Sequence, residues 1–292
     1  MIYDVRLKIS HRYENAAGNG RHIVRVVPKH IPGRQNVLAS LVSTTPDPQE
    51  RVDGIDFFAN VTTTLSHVEP HAEMVINMAA RVQLSQPLAW LDVSPAITDL
   101  QRQFANCRDI GPRSPVHFVG PSPRLIAHDQ ITSFANNLSD PDKSVAENVI
   151  RIGKAIYDTM TFDAKATTVD TPPYEAFANK RGVCQDFSHI MILALRALGI
   201  PAGYVSGYLR TLPPEGGVRL EGADAMHAWV CAWCGTGQGW IEYDPTNATM
   251  VGSDHIVVGY GRDYGDVSPV IGHLRSSGSQ VNDQSVDVVS VG

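Results

Sequence analysis

The sequence predicts an α+β protein in which a β-sandwich-like N-terminal domain precedes a mixed core. Three observations lead there. Residues 1–83 carry period-two apolar patterning cut by turn signals, 142–159 and 184–198 switch to helical spacing, and strand-like runs return at 202–209, 225–233 and 239–244. At roughly 100–200 residues per domain, 292 residues suggest about two domains. The expected division is 1–85 as the β-rich N-terminal domain, 86–120 as a connector, 121–270 as the core, and 271–292 as a C-terminal segment with a last strand.

In the first unit Tyr3, Val5, Leu7 and Ile9 alternate with Asp4, Arg6, Lys8 and Ser10, the pattern of a strand with one buried face. Further strands are expected at 21–27, 60–68 and 72–84, separated by turn-rich breaks at Asn15 to Gly20 and Pro46-Asp47-Pro48. Short strands at modest spacing suggest a sandwich. Prolines at 87, 95, 112, 115, 121 and 123 mark the connector, with one short helix expected around Ile97, Leu100 and Phe104. Asp140-Pro141-Asp142-Lys143 then offers a helix start, and Val145, Val149, Ile152 and Ile156 recur at helical spacing. Phe187, Ile190, Met191, Ala194, Leu195 and Leu198 form a second stripe, stopped by Gly199 and Pro201. A helix from about Cys184 to Leu198 with one face in the core follows. The Ser-, Asn-, Gln- and Gly-rich stretch 276–285 reads as a loop before a strand at 286–291.

Composition removes several classes of function. Hydrophobic residues are 43% and charged residues 18% of the chain, which fits neither wholesale disorder nor a collagen-like or coiled-coil protein. A net charge of −6 without a Lys/Arg cluster argues against nucleic-acid binding. No apolar run approaches the roughly 18–20 residues of a membrane span, and Met1 to Lys8 alternates instead of building a signal-peptide core. A cytoplasmic location is expected. Four cysteines are too few for a disulfide scaffold, so each is judged as a free thiol.

One of them stands where chemistry is favoured. Cys184 follows Arg181-Gly182-Val183 at the expected helix start, where unpaired N–H groups and the macrodipole stabilise an anion and so favour a thiolate. A thiolate nucleophile needs a base and an orienter, and two strands flanking the Gly-rich stretch Cys234 to Gly239 supply them. If the turn centres on Gly235-Thr236, His227 falls directly opposite Asp244 with both side chains on one face. Taken singly, Cys184 could be a small core residue, His227 a satisfied core histidine, and Asp244 before Pro245 a turn residue. Together they assemble nucleophile, base and orienter in the order Cys, His, Asp.

Four separated motifs carry a resemblance. Gly182-Val183-Cys184-Gln185-Asp186-Phe187, Leu198-Gly199-Ile200-Pro201-Ala202 with Val205-Ser206-Gly207-Tyr208, His227-Ala228-Trp229, and Tyr243-Asp244-Pro245-Thr246 resemble, in order, the bacterial transglutaminase-like family of papain-type thiol enzymes. Phe57-Phe58-Ala59-Asn60 and Glu69-Pro70-His71 look like its β-rich N-terminal region, and Gly261 to Pro269 like its C-terminal segment. The resemblance implies a papain-like core with Cys184 as nucleophile, His227 as general acid/base and Asp244 as orienting carboxylate. The backbone N–H of Cys184 would contribute to an oxyanion hole. The family often adds an aromatic residue upstream, for which Tyr157 or Phe162 is nearest.

The expected activity is acyl transfer on amide bonds of peptides or proteins through a thioester, with hydrolysis favoured. Transamidation to an amine acceptor and a catalytically silent peptide-binding scaffold are the alternatives. The chemistry calls for no metal or cofactor, and the expected partner is a peptide or protein substrate, with no nucleic acid and no membrane. Cys231 and Cys234 lack the second ligand pair of a structural zinc site, and Cys107 has no evident partner. Asp186 is assigned a loop-fixing role, His189 an exposed or cleft-side position, and Trp229 either shielding of the His–Asp pair or ordinary packing. Arg262, Asp263 and Asp266 read as a brace.

Overall fold

The computed structural model describes residues 1–86, 90–211 and 224–291. The β-rich unit is organised around one long strand, β1 (Ile2–Val24), which buries Tyr3, Val5, Leu7 and Ile9 on one face. With β2 (Gln35–Thr45), β3 (Glu50–Ile55), β4 (Val61–His67) and β5 (His71–Leu84) it forms a curled sheet in the order β2-β5-β1-β4-β3. β1 runs beside β5 over its first half and beside β4 over its second, with the register shifting between Arg12 and Ala17. Asn15 to Gly20 is therefore an irregular stretch inside one strand, where the sequence suggested a break between two. β2 and β3 carried no strand signal because their side chains are largely exposed, with Ser and Thr frequent in β2 and charged residues in β3.

The connector carries α1 (Ile97–Ala105), which buries Leu100. After α2 (Asp129–Leu138), α3 (Val145–Thr159) starts on a capping box. The Ser144 hydroxyl accepts from Glu147 N–H, and the Glu147 carboxylate accepts from Ser144 N–H. β6 (Thr161–Phe162) and β7 (Arg181–Gly182) pair in parallel around α4 (Pro173–Asn179), and α5 (Cys184–Ala197) follows at once. The core sheet consists of β8 (Ala202–Leu209), β9 (Ala225–Trp233), β10 (Trp240–Asp244), β11 (Thr249–Met250) and β12 (His255–Gly261), in the order β11-β10-β9-β8-β12. A four-residue helical turn, α6 (Gly235–Gln238), joins β9 to β10. The stripe of Phe187, Ile190, Met191, Ala194 and Leu195 packs on Ala228, Val230, Ala232, Ile241 and Tyr243. At about 1.5–3 kcal/mol for each large apolar side chain buried, this face fixes α5, and hence Cys184, over the sheet.

The chain then returns to the N-terminal sheet. After α7 (Tyr264–Val267), β13 (Val270–Arg275) pairs with the second half of β1 and β14 (Gln280–Ser290) with the first. Residues 280–285, expected as loop, are strand; backbone pairing with β1 is indifferent to their polar, exposed side chains. No described helix is long and apolar enough to cross a membrane.

The two units meet along β12, an edge of the core sheet. The Gln35 amide accepts from Val257 N–H at 2.8 Å and donates to Val257 O at 2.7 Å, and Asn60 treats Tyr260 the same way at 2.9 and 2.8 Å. Two side-chain amides thus satisfy backbone groups that an open edge would present. Gln35→Ala should lower Tm by several degrees in a thermal melt, because a buried N–H without an acceptor costs about 1–3 kcal/mol. An unchanged Tm would show that the edge needs no such cover.

Candidate active site

Cys184 is the first residue of α5 and is partly exposed. A Cβ on Gly182 would stand 2.5 Å from Asp186 Oδ2, so glycine there lets the Asp186 carboxylate fold back over the helix start. Asp186 accepts from Val183 N–H at 2.8 Å and from the Thr167 hydroxyl at 2.6 Å. Burial lifts its carboxyl above the ordinary range. The residue ties the loop after β6 to the turn that carries Cys184, the role expected of it. Through β6 and β7, Phe162 lies beside Gly182, and both Phe162 and Tyr157, on α3, are exposed.

His189 departs from expectation: it is 2% exposed, its Nε2 accepts from Tyr264 N–H at 3.2 Å, and burial drives it down to about 3. The stripe on α5 understated its burial because α7 covers a second side of the helix. The brace is as expected, with Arg262 holding Asp266 through two bonds of 2.9 and 3.0 Å. Asp263 accepts from the backbone of Arg124 and Gly265.

His227 lies in the middle of the core sheet. Its Nε2 meets Asp244 Oδ2 at 2.8 Å, and the Cys184 thiol is its other side-chain partner. Burial disfavours the imidazolium, but the hydrogen bonds to Asp244 and Cys184 outweigh it and raise His227 to about 10. Burial likewise opposes the Asp244 carboxylate, and its hydrogen bonds from His227 and His255 hold it well below the usual range. The structure brings Cys184, His227 and Asp244 together, with one correction of register. The last pair of β9 and β10 is Val230 with Tyr243, so Asp244 continues to the position opposite Trp229 and His227 lies diagonal to it. The four-residue turn α6 is longer than a tight hairpin turn and centred one residue later. A slip of two residues keeps both side chains on one face, and the imidazole spans the diagonal.

Trp229 is fully buried, with its ring 6.2 Å from that of His227 and 5.1 Å from that of His255. A Cβ on Gly207, which pairs with His227, would meet the indole at 2.3 Å; glycine makes room for the indole. The indole N–H donates to Glu242 Oε2 at 2.7 Å, Tyr260 donates to Oε1 at 2.8 Å, and Arg34 binds both oxygens. Burial would push Glu242 up, but Arg34 and Trp229 bring it to about 2.

His255 was not anticipated from the sequence. Its Nδ1 accepts from Gly252 N–H at 3.4 Å, leaving Nε2–H to donate to Asp244 Oδ2 at 3.2 Å. Asp244 also receives Thr246 N–H, Asn247 N–H and the Asn247 amide, so five donors fix one fully buried carboxylate. A signal existed only as a polar residue opening the apolar run Ile256-Val257-Val258. His227, Asp244 and His255 place ligand atoms within 4.8 Å of one another, close enough to share an ion, although each is engaged in the hydrogen bonds just described.

Comparison with known proteins identifies the two halves of the chain. Residues 132–245 match the transglutaminase-like superfamily, and residues 3–83 match the bacterial transglutaminase-like N-terminal region. An uncharacterized protein of Mycobacterium tuberculosis is 32% identical over 291 residues, covering 98% of this chain and 92% of that one. The chain belongs to the transglutaminase-like superfamily. An uncharacterized protein of Mycobacterium leprae is 30% identical, covering 97% of this chain and 98% of that one. A protein-glutamine gamma-glutamyltransferase of Pseudomonas aeruginosa is 38% identical over 87 residues, 30% of this chain and 13% of that protein. The crystal structure of a candidate cysteine protease from Cytophaga hutchinsonii superposes with a TM-score of 0.73 at 20% identity, covering all of this chain and 91% of that one, which shows the shared fold.

Proposed function

We propose that this transglutaminase-like protein is a thiol acyl-transfer enzyme acting on amide bonds of peptides or proteins, with hydrolysis as its main outcome. The observation that carries the reading is the double engagement of His227, held by Asp244 at Nε2 and facing the Cys184 thiol. In this mechanism Cys184 Sγ attacks the amide carbonyl and forms the C–S bond, with the oxyanion received at the α5 N-terminus. His227 gives its proton to the departing amine as the C–N bond breaks. Water, deprotonated by His227, then cleaves the thioester and releases the acid. Asp244 keeps the imidazole oriented, and His255 and Asn247 keep Asp244 in place.

Transfer to an amine in the second step is the other reading, supported by the local similarity to the Pseudomonas gamma-glutamyltransferase. A screen of glutaminyl and other peptide substrates, with and without an added primary amine, decides between them. Free acid as the dominant product despite millimolar amine supports hydrolysis; dominant amide product overturns it.

A silent scaffold is separable from an enzyme by thiol chemistry. Iodoacetamide at about pH 6 should label Cys184 well ahead of Cys107, which is also partly exposed but has no imidazole beside it. Cys231 and Cys234 are buried, and burial pushes the Cys231 thiol up to about 11, so both should stay unlabelled in the native protein. Equal labelling of Cys184 and Cys107, read by peptide mass spectrometry, would remove the main support for a nucleophile.

A further inference from the structure

The face of the core sheet that carries His227 and Asp244 repeats their arrangement one step along. Trp229 stands two residues after His227 on β9, and Glu242 two residues before Asp244 on β10, so all four side chains belong to one face. With Tyr243 opposite Val230, each carboxylate lies diagonal to its donor. The imidazole meets Asp244 Oδ2 at 2.8 Å, and the indole N–H donates to Glu242 Oε2 at 2.7 Å. Two parallel rungs therefore join β9 to β10, and their rings are neighbours. The Trp229 ring lies 6.2 Å from that of His227 and meets that of His255 edge-on, 5.1 Å away with 81° between the planes.

The rungs differ in what holds the carboxylate. Asp244 draws its other donors from its own turn and from His255, all within the core unit. Glu242, whose side chain is only 6% exposed, has its charge matched from outside that unit. Arg34, in the turn before β2, donates Nη1–H to Oε1 at 2.5 Å and Nη2–H to Oε2 at 2.9 Å. Tyr260 adds its hydroxyl at 2.8 Å, and Arg113, 3.9 Å from the Tyr260 ring centroid, adds its charge. Arg34 lies within the stretch that matches the bacterial transglutaminase-like N-terminal region. Its backbone is fixed there: Arg34 N–H donates to Ile31 O at 3.1 Å, and Arg34 O accepts from Ser85 N–H at 2.9 Å.

We infer that the N-terminal unit completes the candidate active site through Arg34, a positioning residue that fixes the Glu242 carboxylate, thereby sets the Trp229 indole, and through the indole the rings of His227 and His255. Its effect on turnover rests on the thiol-enzyme reading; its effect on the rings rests on the geometry alone. A carboxylate removed from water stays an anion only beside a cation. Without Arg34 the buried carboxyl takes up a proton or turns toward water, and either change weakens the charge-assisted bond to the indole. Trp229 is fully buried, so no water stands by to replace that bond. An indole so released can shift against two histidines, and a misplacement of about 1 Å at the reacting groups costs up to about 10²-fold in rate.

The test compares three forms of the full chain, Arg34→Met, Arg34→Lys, and Arg34→Met combined with Glu242→Gln, each checked for native circular dichroism. With no substrate present, Arg34→Met should move the Trp229 indole N–H resonance upfield as its hydrogen bond weakens, and should displace the NMR titration of the His227 ring. On a substrate from the screen it should lower kcat about tenfold or more with KM within about twofold, because alignment is lost and not a substrate contact. Arg34→Lys keeps the charge without the two-pronged fork and should fall between Arg34→Met and the wild type. Adding Glu242→Gln to Arg34→Met removes the buried anion and leaves an amide oxygen for the indole, so resonance and kcat should return most of the way. If Arg34→Met does not fold, the double variant and Arg34→Lys carry the comparison. Indole and imidazole signals unmoved by the loss of Arg34 overturn the inference whatever the activity. Moved signals with wild-type kcat, or a double variant as impaired as Arg34→Met, overturn it too. Wild-type protein that turns over no substrate counts instead against the enzyme reading, and the two resonances then decide the role of Arg34 by themselves.

Discussion

Cys184→Ala should abolish acyl-enzyme formation with every substrate while leaving Tm within about 2–4 °C of the wild type, since it removes one partly exposed sulfur from a helix start, an effect of about 1 kcal/mol or less. The same change should lower the titration of His227, because the thiol is one of the two partners that raise the imidazole to about 10. Both can be read on one sample, by thioester trapping and by following the His227 ring in an NMR pH titration. A Cys184→Ala protein that unfolds would identify Cys184 as a core residue. One that folds but leaves His227 titrating as before would mean that thiol and imidazole do not interact. The pairing of readouts matters because loss of activity alone follows from many causes.

Cys184 was legible in the sequence as a candidate nucleophile because three local signals converge on it: Gly182 before it, an apolar stripe after it, and a Gly-Ile-Pro stop at the far end. Helix α5 and strands β8 and β9 obey the same logic, since burial on both faces leaves largely apolar runs bounded by turns. The pairing of β9 with β10 was less legible. A Gly-rich stretch says that the chain turns but not by how many residues, and the helical turn α6 moved the register by two. Parity survived, which is why Asp244 still reaches His227. His255 was out of reach because its relation to Asp244 is purely tertiary: β12 enters the sheet beside β8, on the far side of β9 and β10. Likewise Arg34 gives no hint in the sequence that it will travel 208 positions to clasp Glu242.

The carboxylate and the base should fail differently. His227→Ala should eliminate activity almost completely, because no other described side chain is placed to move a proton between Cys184 and the leaving amine. Asp244→Asn should leave a measurable remainder, since an amide oxygen set where Oδ2 now lies still accepts from His227 Nε2–H and His255 Nε2–H. That orientation aims the amide NH₂ at the backbone N–H groups of Thr246 and Asn247, which now donate to Oδ1 and would lose their acceptor. The variant should therefore melt several degrees lower as well as react more slowly. Its pH profile carries the diagnostic. His227 is raised from 6.5 to about 10, so the stability lent by its charged partners is fully present below about pH 6.5 and is lost as pH rises toward 10. Asp244 is lowered, so its share is present above the ordinary carboxylate range and lost as pH falls through it. With Asn at 244 the imidazolium loses its anion, and the alkaline limb of the pH–rate profile should move toward neutrality while the acid limb stays. Should the Asp244→Asn profile coincide with that of the wild type across about pH 5–9, Asp244 serves only the turn at Pro245, and the orientation of His227 must come from elsewhere.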